Sequence, residues 1–455
     1  MGERKKETSS MLVIYSALFL ILTFVVSFSA ARELQSQTKE QTRSPNRFGS
    51  SLVFPVQGDV YPNGYACDAQ LRIFYLILEM NYAIELLGIP RFFYATIYIG
   101  NPPKRYYLDI DTGSNLTWVQ CAAGPRAKLL KAPNNPYKPN NNALFCKDPL
   151  CAFVDQPNNF PCEAPNDQCD YEVHYADYGS SLGVLVRDSF TLKLTNGSTF
   201  KPTLAFGCGY NQEFSGQFPS PYVDGVLGLA NGKSSLVSQL LGFGLTQNVI
   251  GHCFGGQGKG FLFFGDDILP SGLVWAPRVP NSLNYYMAGP VDLLSGGKTS
   301  VAKGLYVVFD SGSTYTYLNP QAYQATLTLA SCMFIILKQI TVKTALLKKP
   351  LSPVKDGNLP ICWKGVKPFR SIDAVKSNFS PLALSFTNTK NVAFLLPPES
   401  YLVITSHGNV CLGILDGADA HLGSLNIIGD ISMQDKLVVY DNERERIGWT
   451  SYNCN

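Results

Sequence analysis

Charged side chains are scarce in this chain and neither sign prevails: 16% of the 455 residues are Asp, Glu, Lys or Arg, and the formal net charge is +3. So small an imbalance offers no field to attract phosphate backbones or an anionic membrane, which excludes nucleic acid as a partner. Histidine is rarer still. His174, His252, His407 and His421 show no i, i+4 pairing, so neither a helical metal site nor a Ser-His-Asp triad has support. No metal and no cofactor are expected. The 12 cysteines include no C-x-x-C pair with histidines at zinc-like spacing and read as structural disulfides formed in an oxidising compartment.

Glycine and proline, by contrast, are plentiful, at 39 and 29 residues, within a chain that is 45% hydrophobic and 12% aromatic. That mixture suits many short strands joined by tight turns, an all-β composition. A single core rarely grows much past ~250 to 300 residues, so this length implies two lobes.

Arg4, Lys5 and Lys6 precede an apolar run from Met11 to Phe28 and then Ser29, Ala30 and Ala31, the three parts of a secretory signal. We assign residues 1–31 to a signal peptide and 32–62 to a short pro or linker segment. The default destination is the secretory pathway and extracellular space or apoplast, with the vacuole as an alternative. An uncleaved signal would anchor the chain in the membrane instead; otherwise no stable span is expected. Asn196-Gly-Ser and Asn378-Phe-Ser are glycosylation sequons compatible with that route, whereas Asn115-Leu-Thr lies in a loop of special interest and is expected to stay bare.

That loop belongs to an internal echo. Tyr107-Leu-Asp-Ile-Asp111-Thr-Gly-Ser114 and Tyr306-Val-Val-Phe-Asp310-Ser-Gly-Ser313 each carry an apolar strand into Asp-Thr/Ser-Gly-Ser. Behind the first follows Gly225-Val-Leu-Gly228, and behind the second Asn426-Ile-Ile-Gly429. The same two elements in each half point to a duplicated lobe, with a cleft between the copies as the place for a site. An Asp at the end of a buried strand must be held by hydrogen bonds or shed its charge. Thr112, Ser311 and the amides of Gly113 and Gly312 are expected to supply those bonds. The glycines also let two such loops approach closely. Two carboxyls in hydrogen-bond contact cannot both ionise; they share a proton, giving one base toward water and one acid toward a carbonyl oxygen. A lone Asp-Thr-Gly is a common turn; two in matching contexts make Asp111 and Asp310 the candidate catalytic pair.

With these motifs the chain resembles the pepsin family of aspartic proteases, and within it the plant nepenthesin-like branch, over most of residues 93 to 455. Phe206-Gly-Cys-Gly and Ile447-Gly-Trp-Thr add to the likeness. The resemblance implies two six-stranded-type β lobes, 63–278 and 279–455, with the cleft between them; polypeptide substrates; pepstatin-type inhibitors; a monomer; and activity that peaks at acidic pH. It further implies a β-hairpin flap near residues 171 to 184 with Tyr175 as its tyrosine, Tyr178 being an alternative, and Trp118 as that tyrosine's support. Ser114 and Thr314 match the family's positions that hydrogen-bond the two carboxyls. Residues 66–92 and 331–343 look inserted, and Cys67 and Cys332 fall in them. The clustered cysteines that relatives place after Cys121 are missing, so the disulfide framework reads as incomplete. No saposin-like insertion is present. Gly255-Gly-Gln-Gly-Lys-Gly260 runs into a strand-like segment with no Lys-Ser/Thr pair after it, and is read as a hairpin turn rather than a phosphate cradle. A catalytically inactive binding or inhibitor protein on the same scaffold is the alternative function. A two-carboxylate glycoside hydrolase, whose acids stand ~5 to 9.5 Å apart, is a further rival with no motif in its favour.

Overall fold

A computed structural model describes residues 52–58, 92–327 and 351–455, apart from residues 123, 125, 126, 160, 177, 196 and 215–221. The proposed signal, the bulk of both inserted-looking stretches, Cys67, Cys332 and the Asn196 sequon lie outside the described residues. Among those described, no helix is long and apolar enough to cross a membrane.

Among the described residues the first half contributes twelve strands: β1 (Leu52–Gly58), β2 (Phe93–Ile99), β3 (Lys104–Asp111), β4 (Trp118–Gln120), β5 (Asp170–His174), β6 (Gly179–Ser189), β7 (Leu192–Lys193), β8 (Thr199–Phe200), β9 (Thr203–Phe214), β10 (Gly225–Gly228), β11 (Val249–Phe254) and β12 (Lys259–Phe264). A short helix, α1 (Leu236–Gly242), is capped by the Ser235 hydroxyl, which accepts from Ser238 N. The second half adds β13 (Val274–Pro277), β14 (Met287–Ser295), β15 (Thr299–Phe309), β16 (Thr316–Leu318), β17 (Ser352–Asp356), β18 (Leu359–Lys364), β19 (Leu382–Phe386), β20 (Ala393–Leu396), β21 (Leu402–Ile404), β22 (Val410–Leu412), β23 (Ile414–Asp416), β24 (Asn426–Ile428), β25 (Lys436–Asp441) and β26 (Arg446–Ser451), with α2 (Asp430–Met433) between β24 and β25.

The fold is all-β and two-lobed. A thirteen-stranded sheet runs β13-β26-β25-β11-β12-β1-β2-β3-β10-β4-β9-β6-β5, and sheets of seven strands (β20-β19-β14-β15-β24-β16-β23) and four strands (β17-β18-β22-β21) complete the second lobe. The large sheet is shared between lobes, because β25 pairs with β11 from Val249↔Asp441 to Cys253↔Leu437. β1 pairs with both β12 and β2. Residues 52–58, which the sequence reading left in the pro or linker segment, are therefore a strand of this sheet; Leu52, Phe54 and Val56 alternate into the core, the period-2 pattern of a half-buried strand. The Gly255–Gly260 stretch is the turn of the β11–β12 hairpin, as expected, with Gly258 at φ +78°.

The sequence echo corresponds to one repeated topology. In the first lobe β3 is parallel to β10, β10 antiparallel to β4, and β4 parallel to β9. In the second, β15 is parallel to β24, β24 antiparallel to β16, and β16 parallel to β23. Each inner strand threads between two others at a distance only glycine tolerates. A Cβ on Gly228 would stand 2.6 Å from the Leu116 carbonyl oxygen, and one on Gly429 2.2 Å from that of Tyr315. This explains the second pair of echoed motifs, each ending in glycine beside an Asp loop.

All ten cysteines among the described residues pair: Cys121–Cys208, Cys146–Cys162, Cys151–Cys169, Cys253–Cys454 and Cys362–Cys411. The framework is thus not incomplete. Cys121 needs no clustered neighbour because the parallel β4–β9 register, with Val119 opposite Cys208, brings it a partner from 87 residues away.

The glycine constraint is testable. Gly225→Ala would push a Cβ to within 2.0 Å of the Trp118 carbonyl oxygen, so β10 and β4 must part, and urea unfolding is expected to show a loss of about 2–3 kcal/mol.

Candidate active site

β3 ends at Asp111 and β15 delivers Asp310 one residue past its end. Both strands are apolar where they approach the site: Leu108, Ile110, Val307 and Phe309 are fully buried. Phe309 packs against Trp449, ring centroids 6.0 Å apart, and Phe394, at 5.2 Å. Each Asp loop is anchored to the glycine-ended strand beside it. Leu229 N donates to Asp111 O and Ala230 N to Ser114 O, both at 2.8 Å. In the second lobe Asp310 N donates to Ile428 O at 3.1 Å, and Asp430 N to Ser313 O at 2.7 Å.

Asp111 accepts from Gly113 N at 2.7 Å and from the Ser114 hydroxyl. Asp310 accepts from Gly312 N at 3.1 Å and from Ser313 Oγ at 2.8 Å. The resemblance named Thr314 on this loop; the hydroxyl seen on the Asp310 carboxyl is that of Ser313. Ser313 follows its Asp by three residues as Ser114 does, and the same turn folds it back over the carboxyl; the echo itself held that signal. The Thr314 carbonyl accepts from Ile431 N at 3.2 Å.

Thr112 and Ser311 also act differently from the sequence expectation. Their hydroxyls cross to the opposite loop rather than bonding their own carboxyls. Thr112 Oγ1 donates to Phe309 O at 3.0 Å and accepts from Ser311 N at 2.9 Å. Ser311 Oγ donates to Ile110 O at 2.7 Å and accepts from Thr112 N at 3.1 Å. The hydroxyl bonds thus cross reciprocally between the lobes. The carboxyls are already supplied by amides two residues on and hydroxyls three residues on, which leaves the Thr112 and Ser311 side chains free to point under the site.

The crossing brings the carboxyls together. A Cβ on Gly113 would lie 2.6 Å from Asp310 Oδ1, and one on Gly312 2.6 Å from Asp111 Oδ1, so each acid sits against the other loop's glycine. Burial and the neighbouring carboxylate push the Asp111 pKa far above the usual range, the bonds from Ser114 and Gly113 offsetting this only in part. Burial likewise raises Asp310. The pair therefore favours holding a proton between its members.

Above the site stands the β5–β6 hairpin, paired from Asp170↔Val184 to His174↔Ser180 and closed by Tyr175 N donating to Gly179 O at 2.8 Å. Trp118 Nε1 donates to the Tyr175 hydroxyl at 2.6 Å. Burial, then the Asp111 charge, raises the Tyr175 phenol well above its ordinary pKa. Tyr178 is exposed at the tip with φ +65° and meets His421 of the second lobe edge-on, ring centroids 5.5 Å apart. The two tyrosines thus occupy different places: Tyr175 faces the acids, Tyr178 the opposite rim. Sequence reading passed over Tyr285, whose phenol is raised by burial and by the charges of Asp310 and Asp111; no motif marks it. Asn115 has its amide oxygen buried, and a Cβ on Gly232 would come 2.5 Å from its side chain, leaving little room for a glycan.

Comparison with known proteins follows the same lines. The family descriptions "Xylanase inhibitor N-terminal" and "Xylanase inhibitor C-terminal" match residues 93–266 and 294–451. An aspartic proteinase of Oryza sativa subsp. indica is 41% identical over 419 residues, 89% of this chain and 92% of the relative. Aspartic proteinase nepenthesin-2 of Nepenthes gracilis is 24% identical over 378 residues, 78% of this chain and 76% of the relative. The crystal structure of the aspartic proteinase from Irpex lacteus superposes with a TM-score of 0.54 at 18% identity, covering 82% of this chain and 97% of that one. The chain belongs to the pepsin-like aspartic protease family.

The strained electrostatics of the pair predict a stability effect. Raised carboxyl pKa values favour folding below the unfolded value of ~4 and cost stability as pH rises through the folded value. Asp111→Asn is expected to raise the melting temperature, by more at pH 7 than at about pH 4, as read by differential scanning calorimetry.

Proposed function

We propose that the protein is an aspartic endopeptidase in which Asp111 and Asp310 share one proton and activate a water between them. The observation that carries this reading is the reciprocal placement of each carboxyl against the other loop's glycine, held by crossed hydroxyl bonds. The ionised carboxyl takes a proton from water as the water oxygen bonds to the scissile carbonyl carbon. The protonated carboxyl gives its proton to the carbonyl oxygen, forming a neutral gem-diol. One carboxyl then protonates the amide nitrogen while the other removes a diol proton, the C–N bond breaks, and acid and amine leave with the pair again singly protonated. Ser114 and Ser313 orient the acids, and Gly113 and Gly312 keep the space between them open.

The substrate is an extended polypeptide lying in the cleft beneath the β5–β6 hairpin, with Tyr175 held over the acids by Trp118. Five disulfides support passage through an oxidising compartment, and we extend the proposal to a secreted protein. A non-catalytic binding protein is the second reading, favoured by the description of the matched family halves as xylanase inhibitor.

Cleavage of denatured haemoglobin from about pH 3 to about pH 7 separates the two. A protease gives a bell-shaped profile: activity falls at high pH as the shared proton leaves, and at low pH as the second proton neutralises the base. Asp111→Asn or Asp310→Asn is expected to cost at least about a hundredfold in kcat, and pepstatin to abolish cleavage. Folded protein that neither cleaves nor binds pepstatin would establish the binding reading instead.

A further inference from the structure

The two Asp loops repeat each other in sequence and backbone, yet one pair of equivalent side chains is bonded differently in the two lobes. Thr117 and Thr316 each follow their Asp by six residues, and both are buried. The Thr117 hydroxyl has no hydrogen-bond partner among the described residues. The Thr316 hydroxyl stands 2.7 Å from Ser432 Oγ on α2 and 3.3 Å from Gly429 N. Three residues after the echoed glycine the second lobe carries Ser432, where the first carries Asn231.

Counting hydrogens orders this cluster. Ser432 Oγ donates its one hydrogen to Ser400 O at 2.9 Å, so toward Thr316 it can only accept. Thr316 therefore donates to Ser432 and keeps its lone pairs for Gly429 N. Lys436 joins from β25: its ammonium donates to Ser400 Oγ at 2.9 Å, Ser432 O at 3.1 Å and Gln434 O at 3.4 Å. Burial lowers the Lys436 pKa to about 8, so the ammonium stays charged at acidic pH. Thr316, Ser400, Ser432 and Lys436 are all buried, where a polar group that loses its partner has no water to replace it.

What the cluster holds is the junction of β24 with α2. From that junction Asp430 N and Ile431 N donate to Ser313 O at 2.7 Å and Thr314 O at 3.2 Å, and Ser313 Oγ donates to Asp310 at 2.8 Å. We propose that Thr316 and Ser432 are positioning residues for Asp310: their hydroxyls pin the start of α2, and the α2 amides hold the turn that lays Ser313 over the acid. The inference rests on the protease reading above. Thr117 gives the Asp111 loop no such brace, so the two acids, alike in their own loops, differ in how firmly the loop is held from behind.

The test uses the full chain with Thr316→Val, which replaces the hydroxyl with a methyl, Thr316→Ser, which keeps it, Ser432→Ala, and Thr117→Val as the first-lobe counterpart. Thr316→Val and Ser432→Ala are expected to lower kcat about fivefold with KM held within about twofold, and to move a limb of the pH–kcat profile by about half a unit. Thr316→Ser is expected to keep most of the wild-type kcat, and Thr117→Val to keep both kcat and profile. Wild-type kcat and profile in Thr316→Val or Ser432→Ala would overturn the proposal, as would losses in Thr117→Val equal to those in Thr316→Val. Circular dichroism checks that each variant is folded, and Ser432→Ala decides if Thr316→Val is not. Should the wild-type protein cleave nothing, the protease reading fails separately, and carbon-13 NMR titration of the Asp111 and Asp310 carboxyls decides the brace. Apparent pKa values that move in Ser432→Ala but not in Thr117→Val support it, and values unmoved in Ser432→Ala refute it.

Discussion

Two buried carboxyls repel each other whenever both are ionised, and the structure depends on whatever keeps them together. Four hydrogen bonds between Thr112 and Ser311 and the strands of the opposite lobes do so. Each such bond contributes about 1 kcal/mol net, yet each would cost more if one partner were left buried and unpaired. Both hydroxyls use donor and acceptor, and every partner is backbone. The arrangement is insensitive to side-chain motion nearby and demanding about strand position. That demand explains the glycines at 225, 228 and 429, which let the strands beside the loops close to distances no other residue permits.

Much of this was legible in the sequence because duplication writes the same constraint twice. A strand ending in Asp-Thr/Ser-Gly-Ser and a later apolar-apolar-Gly gave the lobes, the loops and the acids. Resemblance added Trp118 and Tyr175, which the structure joins by a hydrogen bond. What could not be read was direction. Nothing in the order of residues says that Thr112 and Ser311 reach across rather than back, since both geometries suit a hydroxyl after Asp. Ser313 stands three residues after its Asp as Ser114 does, so the internal echo marks it where the family resemblance does not.

Long-range pairing was equally hidden. Leu52–Gly58 joins a sheet whose next strand among the described residues, β2, starts at Phe93, and an alternating apolar segment alone does not name its partner. The cysteines posed the same difficulty: ten of them allow many pairings, and the strand register selects one.

The crossed hydroxyls lie on the seam where the lobes meet, and this position acts as a fulcrum. When two bodies pivot about a pinned point, displacement grows with distance from the pin. The rim, where Tyr178 meets His421, lies out along the lever, so any rotation about the pin displaces that contact more than it alters the spacing of Asp111 and Asp310.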